Sequence, residues 1–215
     1  MNRNVSDNTL DEAIRRIKSH IVVNKGLDPD DVAQRVLQLH MSRIFQHIFM
    51  VKAFASMIAA KHANAKWVPK LRENVLKHDQ HKWNDIEFMG DYAPYIVEQY
   101  VGSRWFHTNE GYDKVHERIG RIHRTKSEHH VDHWCPFLKN SERKNEPLVP
   151  LLMPDYAIAE MLADWMAVSM EKGGTATEWF HKNQGKEWRF TKAQQAFIES
   201  ILKDEPEFRR RFKAA

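Results

Sequence analysis

The run Asp28-Pro29-Asp30-Asp31, with apolar residues following at Val36, Ile44, Val51 and Ile58, restricts the fold more than any other part of this chain. Asp28 can cap a helix through its side-chain oxygen, Pro29 suits the first helical position, and two acids favour the positive end of the helix dipole. The apolar residues recur at heptad-like steps. Together these features predict one long helix from Pro29 to about Lys61. Other segments carry the same periodicity. Ile14, Ile17, Ile21 and Val22 mark a helix over 8–24, stopped by Gly26. Pro69 opens one over 68–82, a further segment covers 85–100 with a break near Gly90 or Pro94, and another covers 114–134. Pro136, Pro147, Pro150 and Pro154 make 136–154 a loop or lid. Pro154-Asp155 opens a strong helix that ends at Gly173-Gly174, and helices over 175–183 and 191–203 close the chain. No segment alternates in the manner of a strand, and nothing repeats. The expected fold is all-α, a single compact helical domain over 1–215 with its core at about 30–203 and a basic, solvated end at 204–215.

Composition narrows the function. A chain of 215 residues can bury a real core, and 42% hydrophobic with 29% charged residues reads as globular. The single Cys135 excludes a disulfide scaffold and fits a reducing cytoplasm. No stretch reads as ~20 consecutive apolar residues, and the polar start shows no leader, so a cytoplasmic location without a membrane is expected. A net charge of +4 with 13 histidines suits an anionic small-molecule partner and is too weak to argue for duplex nucleic acid. A homo-oligomer is compatible with all of this.

The chemistry-bearing residues concentrate in four places. His78-Asp79 offers imidazole and carboxylate side by side, a pairing that suits a divalent metal. On a helix, Leu71, Val75, His78 and Lys82 would share one stripe with Asp79 beside it. His47 lies among Ile44, Ile48 and Val51, where an imidazole needs a partner, and His40 two turns earlier competes for the same role. Asp164 shares its side of a helix with Met161, Trp165 and Val168, so a metal or an ion pair must offset its desolvation. Glu160, one turn earlier, is placed to orient a ligand histidine. Between these lie His123, His129, His130 and His133 with Glu128 and Asp132. On a continuous helix His129 and His133 would stand at i, i+4. His123 and His130, ~10 Å apart along the axis, would bracket two metals, or a metal and its substrate. The plainer alternatives are a core histidine bonded to a carbonyl, a buried salt bridge at Asp164 and a basic surface patch.

The order His47, His78-Asp79, the histidine cluster and Asp164 resembles the ligand order of the HD metallohydrolase superfamily. Over about residues 44–183 the chain also looks like a family of short, uncharacterised bacterial and phage proteins with a His-Asp-x-Ser-Lys-Phe signature and a later paired-histidine segment. It departs from them at His81, where Ser is usual, at Trp83, where Phe is usual, and at Ser127, where Asn is common. The resemblance implies an HD-type helical fold and supplies no reaction; the first expectation from the residues is a metal-dependent phosphohydrolase of nucleotides or other small phosphoesters, working through metal-activated water. His47, His78, Asp79 and Asp164 would hold a first divalent ion. Asp79 would bridge to a second, held by His123 and His129 or His130, with Mn, Fe, Mg, Zn, Co and Ni all open. Asp79 and Lys82 would be the catalytic pair, with Lys82 neutralising the phosphate and Arg124 and Lys126 as further phosphate contacts. An HD-type di-iron oxygenase of the myo-inositol oxygenase kind is the rival enzyme. A non-catalytic nucleotide- or partner-binding protein is the third reading, with Trp67, Trp83, Trp105, Trp134, Trp165, Trp179 and Trp188 as stacking surfaces.

Overall fold

The long acid-opened helix forms where the sequence places it, as α2 (Pro29–Lys61), and Asp28 Oδ1 accepts from the Asp30 amide at 2.8 Å. Val36, Ile44, Val51 and Ile58 are all buried along it. The computed structural model describes residues 7–21, 28–101, 110–135, 147–150 and 152–214, with side chains left undescribed at 7, 98–101 and 110–113. The Gly26 stop, Trp105 and most of the 136–154 loop lie outside the described residues. The remaining helices are α1 (Asp7–His20), α3 (Val68–Val75), α4 (His81–Asn84), α5 (Ala93–Val101), α6 (Glu110–Lys126), α7 (Asp155–Lys172), α8 (Ala176–Asn183), α9 (Lys192–Leu202) and α10 (Glu205–Ala214). A π-helical turn, Phe88–Tyr92, precedes α5, and a 3-10 turn, Val131–Trp134, follows α6. Among the described residues there is no strand, only isolated bridges such as Leu148 to Trp188. The class is all-α.

The chain divides into two compact units, Met1–Gln46 with Asp79–His123, and His47–His78 with Arg124–Ala215. In the first unit, Ala13 and Ile17 of α1 pack with Ala33, Val36 and Leu37 of α2 and with Met89, Ala93 and Val97. The π turn lets α1 come close. A Cβ added at Gly90 would lie 2.6 Å from the Arg16 Cβ, and Arg16 reaches past it to Asp91 at 3.1 Å. The expected break near Gly90 is therefore a local widening of a continuing helix.

In the second unit α7 is the central rod. Its buried residues, Ala157 through Ala163 with Asp164, Met166, Ala167 and Ser169, cover almost the whole circumference, as a helix wrapped by its neighbours requires. It packs against α3, α8 and α9. Capping boxes at Thr175–Glu178 and Thr191–Gln194 start α8 and α9. The basic end is more than a solvated tail. In α10, Phe208 is fully buried and Phe212 stacks on Phe54 with ring centroids 5.4 Å apart, while Arg210, Arg211 and Lys213 face solvent.

Two predicted helices are shorter than their periodicity suggested. The 68–82 segment stops at Val75, turns through 76–80 and restarts as α4. Asp79 has φ +54°, the left-handed region, which breaks the i to i−4 ladder and removes the supposed helical stripe of His78 and Lys82. The 114–134 segment stops at Lys126, and His130 is extended at φ −100°, ψ 139°. His129 and His133 are thus not one helical turn apart, nor are His123 and His130 two. One window of α2 is also apolar and long enough to cross a membrane, which the sequence reading did not find. Half of that window is buried within the protein.

Candidate metal centre

Three acids of α7 stand at Glu160, Asp164 and Glu171. Steps of four and seven residues bring them onto one stripe of the helix. In the second unit this stripe meets three histidines. His47 comes from α2, His78 from the turn after α3, and His129 from the turn after α6.

His47 directs Nε2 at Asp164 Oδ1, 3.0 Å away, and Nδ1 at Glu171 Oε1, 2.8 Å away. His78 repeats the pattern. Its Nδ1 meets Glu160 Oε1 at 3.0 Å, and its Nε2 lies 3.7 Å from the same Asp164 Oδ1. Each imidazole thus has one nitrogen fixed by a glutamate and the other turned toward a shared aspartate. That is how protein sites orient metal-binding histidines, because a carboxylate on the far nitrogen sets both the ring and its tautomer. The His47–Asp164 spacing fits, and that of His78 is slightly longer. Ligand atoms ~2.1 Å from one ion, in tetrahedral or octahedral arrangement, sit about 3.0–3.5 Å from one another. His129 closes the group, its ring centroid 4.2 Å from that of His78 and its Nδ1 3.6 Å from Glu160 Oε1. His78, His129 and Glu160 have ligand atoms close enough to share an ion.

Burial alone would raise the Asp164 carboxyl. Hydrogen bonds from His47 and His78, with the charges of His47 and His129, outweigh that and hold it well below the usual carboxylate range. An ionised carboxylate facing two imidazoles is a donor set for a divalent transition metal.

The first unit holds a second cluster. Asp79, its side chain fully buried, pairs through Oδ2 with Lys82 Nζ at 2.6 Å, and its Oδ1 lies 3.7 Å from His123 Nε2. His123 Nδ1 and His81 Nε2 share a hydrogen bond of 2.7 Å. Asp79, His81 and His123 likewise have ligand atoms within range of one ion. Among the described residues, each unit thus has a group of His and acidic residues able to hold a metal.

A family model described as a family of unknown function, DUF5662, matches residues 37–204. The chain belongs to this family. The DUF5662 match spans both clusters and leaves out α1 and all of α10. No curated protein and no solved structure matches the chain.

The candidates named from sequence fall as follows. His47, His78, His129 and Asp164 meet in the second unit, and Asp79 and His123 meet in the first. His130 is half-buried beside His129, with ring centroids 4.4 Å apart. Lys82 extends to Asp79, so its charge is already engaged by a carboxylate. Arg124 pairs with Asp132 at 3.3 Å, and Lys126 is an exposed residue at the end of α6. His40 does not compete with His47. It is buried in the first unit and bonds the Lys82 carbonyl at 3.0 Å. His133 bonds the Thr125 carbonyl at 2.8 Å. Glu171 and His81 were missed. The i, i+7 step from Asp164 was the available signal for Glu171, and nothing in sequence separated His81 from a surface residue.

Proposed function

We propose that this chain is an HD-type metal-dependent phosphohydrolase acting on a nucleotide or another small phosphoester. One arrangement carries the reading: two imidazoles with Nδ1 on glutamates and Nε2 on a shared, buried aspartate. His47, His78 and Asp164 are the holding groups, and Glu160 and Glu171 keep the two rings in their working orientation. When bound, the ion supplies a Lewis acid and a water that ionises near neutral pH. Asp79, His81 and His123 are the donor set for a second ion. Lys82 pairs with the Asp79 carboxylate and aims it, a positioning role in place of direct phosphate contact.

The test is elemental analysis of untagged protein, followed by a turnover screen of nucleotides and phosphoesters with each divalent metal. About one or two ions per chain are expected in the wild type, and fewer in Asp164→Asn. Wild-type protein that binds no divalent metal, or equal metal content in the two proteins, sinks the assignment.

A further inference from the structure

The second unit has a cavity of about 260 Å³ lined by Arg124, His129, Asp132, Trp165, Glu187 and Trp188 among others. His129 is the link, because it belongs both to this wall and to the group with His78 and Glu160. The apolar part of the wall is flat. Trp165 and Trp188 stack with ring centroids 4.8 Å apart and planes 26° from parallel. The polar part is mixed, with the imidazoles of His129 and His130 beside one arginine and two carboxylates. Asp132 and Glu187 face the space, and the single guanidinium, Arg124, is held by Asp132 at 3.3 Å.

Charge decides what this cavity accepts. Arg124 and Asp132 offset each other, which leaves Glu187 as the carboxylate free to accept N–H donors and no uncommitted guanidinium to draw a phosphate. Size points the same way, since the volume falls just below the range for a drug-sized ligand and suits one ring system with part of a sugar. We infer that this cavity is a base subsite for an amino-bearing nucleobase, with the tryptophan pair against the ring and Glu187 accepting its N–H groups. It rests on the metal reading only for where the phosphate goes, which is beyond His129, toward Asp164. Arg124 then shapes the base subsite and is not a phosphate contact.

Glu187 is the residue to change. It is exposed, and its backbone accepts from the Leu148 amide and donates to the Asn183 carbonyl. Equilibrium dialysis of the wild type with cytidine against uridine, and adenosine against inosine, isolates the exocyclic amine without any phosphate. At least one amino-bearing member should bind about tenfold tighter than its oxo partner, the expected effect of one hydrogen bond to a charged acceptor. Glu187→Gln should reduce that ratio to below about threefold while leaving metal content and circular dichroism unchanged. Equal binding within both pairs, no nucleoside binding at millimolar concentration, or an unchanged ratio in Glu187→Gln overturns the inference. A protein without metal that still prefers the amino-bearing nucleosides would retain this subsite and lose the hydrolase.

Discussion

Glu205 and Asp164 are both buried carboxylates of the second unit, and they are satisfied in opposite ways. Glu205 is 1% exposed and sits at the start of α8. It accepts from the Ala176 amide at 2.8 Å, the Thr177 amide at 2.9 Å and the Thr177 hydroxyl at 2.7 Å, with Arg209 at 3.4 Å. Amides, a hydroxyl and a guanidinium keep their protons at any pH the protein survives. Asp164 is held by imidazoles, whose nitrogens can give a proton up and take a cation instead. Burial alone therefore marks neither as a site. Exchangeable partners do, and by that criterion Glu205 is a joint between α8 and α10 while Asp164 belongs to a centre.

Truncating the joint should have the largest effect. Glu205→Ala leaves the three α8 donors without their acceptor and Arg209 with only the Ser169 hydroxyl, a loss of about 3–5 kcal/mol. For a chain of this length that lowers Tm by on the order of 10 °C. The loss should be the same with and without chelator, because the joint holds no metal. A scanning calorimetry shift that depends on chelator would erase the distinction drawn between the two carboxylates.

His40 supplies a third case, a buried imidazole with one backbone acceptor and no hydrogen bond at Nδ1. Burial, outweighing the bond to the Lys82 carbonyl, pushes its pKa from 6.5 down to about 4. The unfolded chain binds this proton near pH 6.5 and the folded chain only near 4, so the unfolded state carries more protons in between. Stability from this group is full above about 6.5 and declines toward pH 4, by roughly 3 kcal/mol at 1.36 kcal/mol per unit. Asp164 behaves differently. Its depressed carboxyl keeps its contribution through that window and loses it only below the ordinary carboxylate pKa. Urea unfolding at pH 7.5 and 4.5 should show the decline in the wild type and a flatter response in His40→Gln. Equal slopes in the two proteins would mean His40 is not the group responsible.

The sequence carried the helices and two thirds of the acidic stripe for identifiable reasons. Caps, prolines and apolar spacing are local, so α2, α7, α8 and α9 were legible almost to their ends. Glu160 and Asp164 stood out because acids are rare amid Met161, Leu162 and Met166. Glu171 did not, since it lies near the polar end of α7 where an acid costs nothing locally. The turn at Asp79 was hidden for another reason. Aspartate adopts a left-handed backbone more readily than most residues, and no glycine or proline marks the place. The partners of Lys82 and His40 are tertiary facts. Phe208 and Phe212 already stood at i, i+4 within the basic end, but three consecutive arginines outweighed them in a reading by charge.

Metal removal should cost less than truncating the joint. An ion present at 100 times its dissociation constant stabilises the folded chain by about 2.7 kcal/mol. Chelation of the wild type should therefore lower Tm by several degrees, while chelation of Asp164→Asn should change it little. A wild type indifferent to chelator would place Asp164 in the same class as Glu205.

The smallest effect, and the finest test, is at Glu171. Its carboxylate meets His47 Nδ1 at 2.8 Å, on the side of the ring away from Asp164. Glu171→Gln keeps the size of the side chain and can still hydrogen-bond the ring through its amide. It removes the negative charge that makes Nε2 a better donor to a cation. Loss of such a supporting group weakens metal binding by about 10–100-fold without abolishing it. Metal titration of the apo protein should show that weakening in Glu171→Gln and a larger one in Glu171→Ala, where the ring also loses its anchor. If Glu171→Gln binds metal as tightly as the wild type while Asp164→Asn does not, His47 is held by Asp164 alone. Glu171 would then be an ion-pair partner that stabilises the helix packing, nearer in kind to Glu205 than to the centre it adjoins.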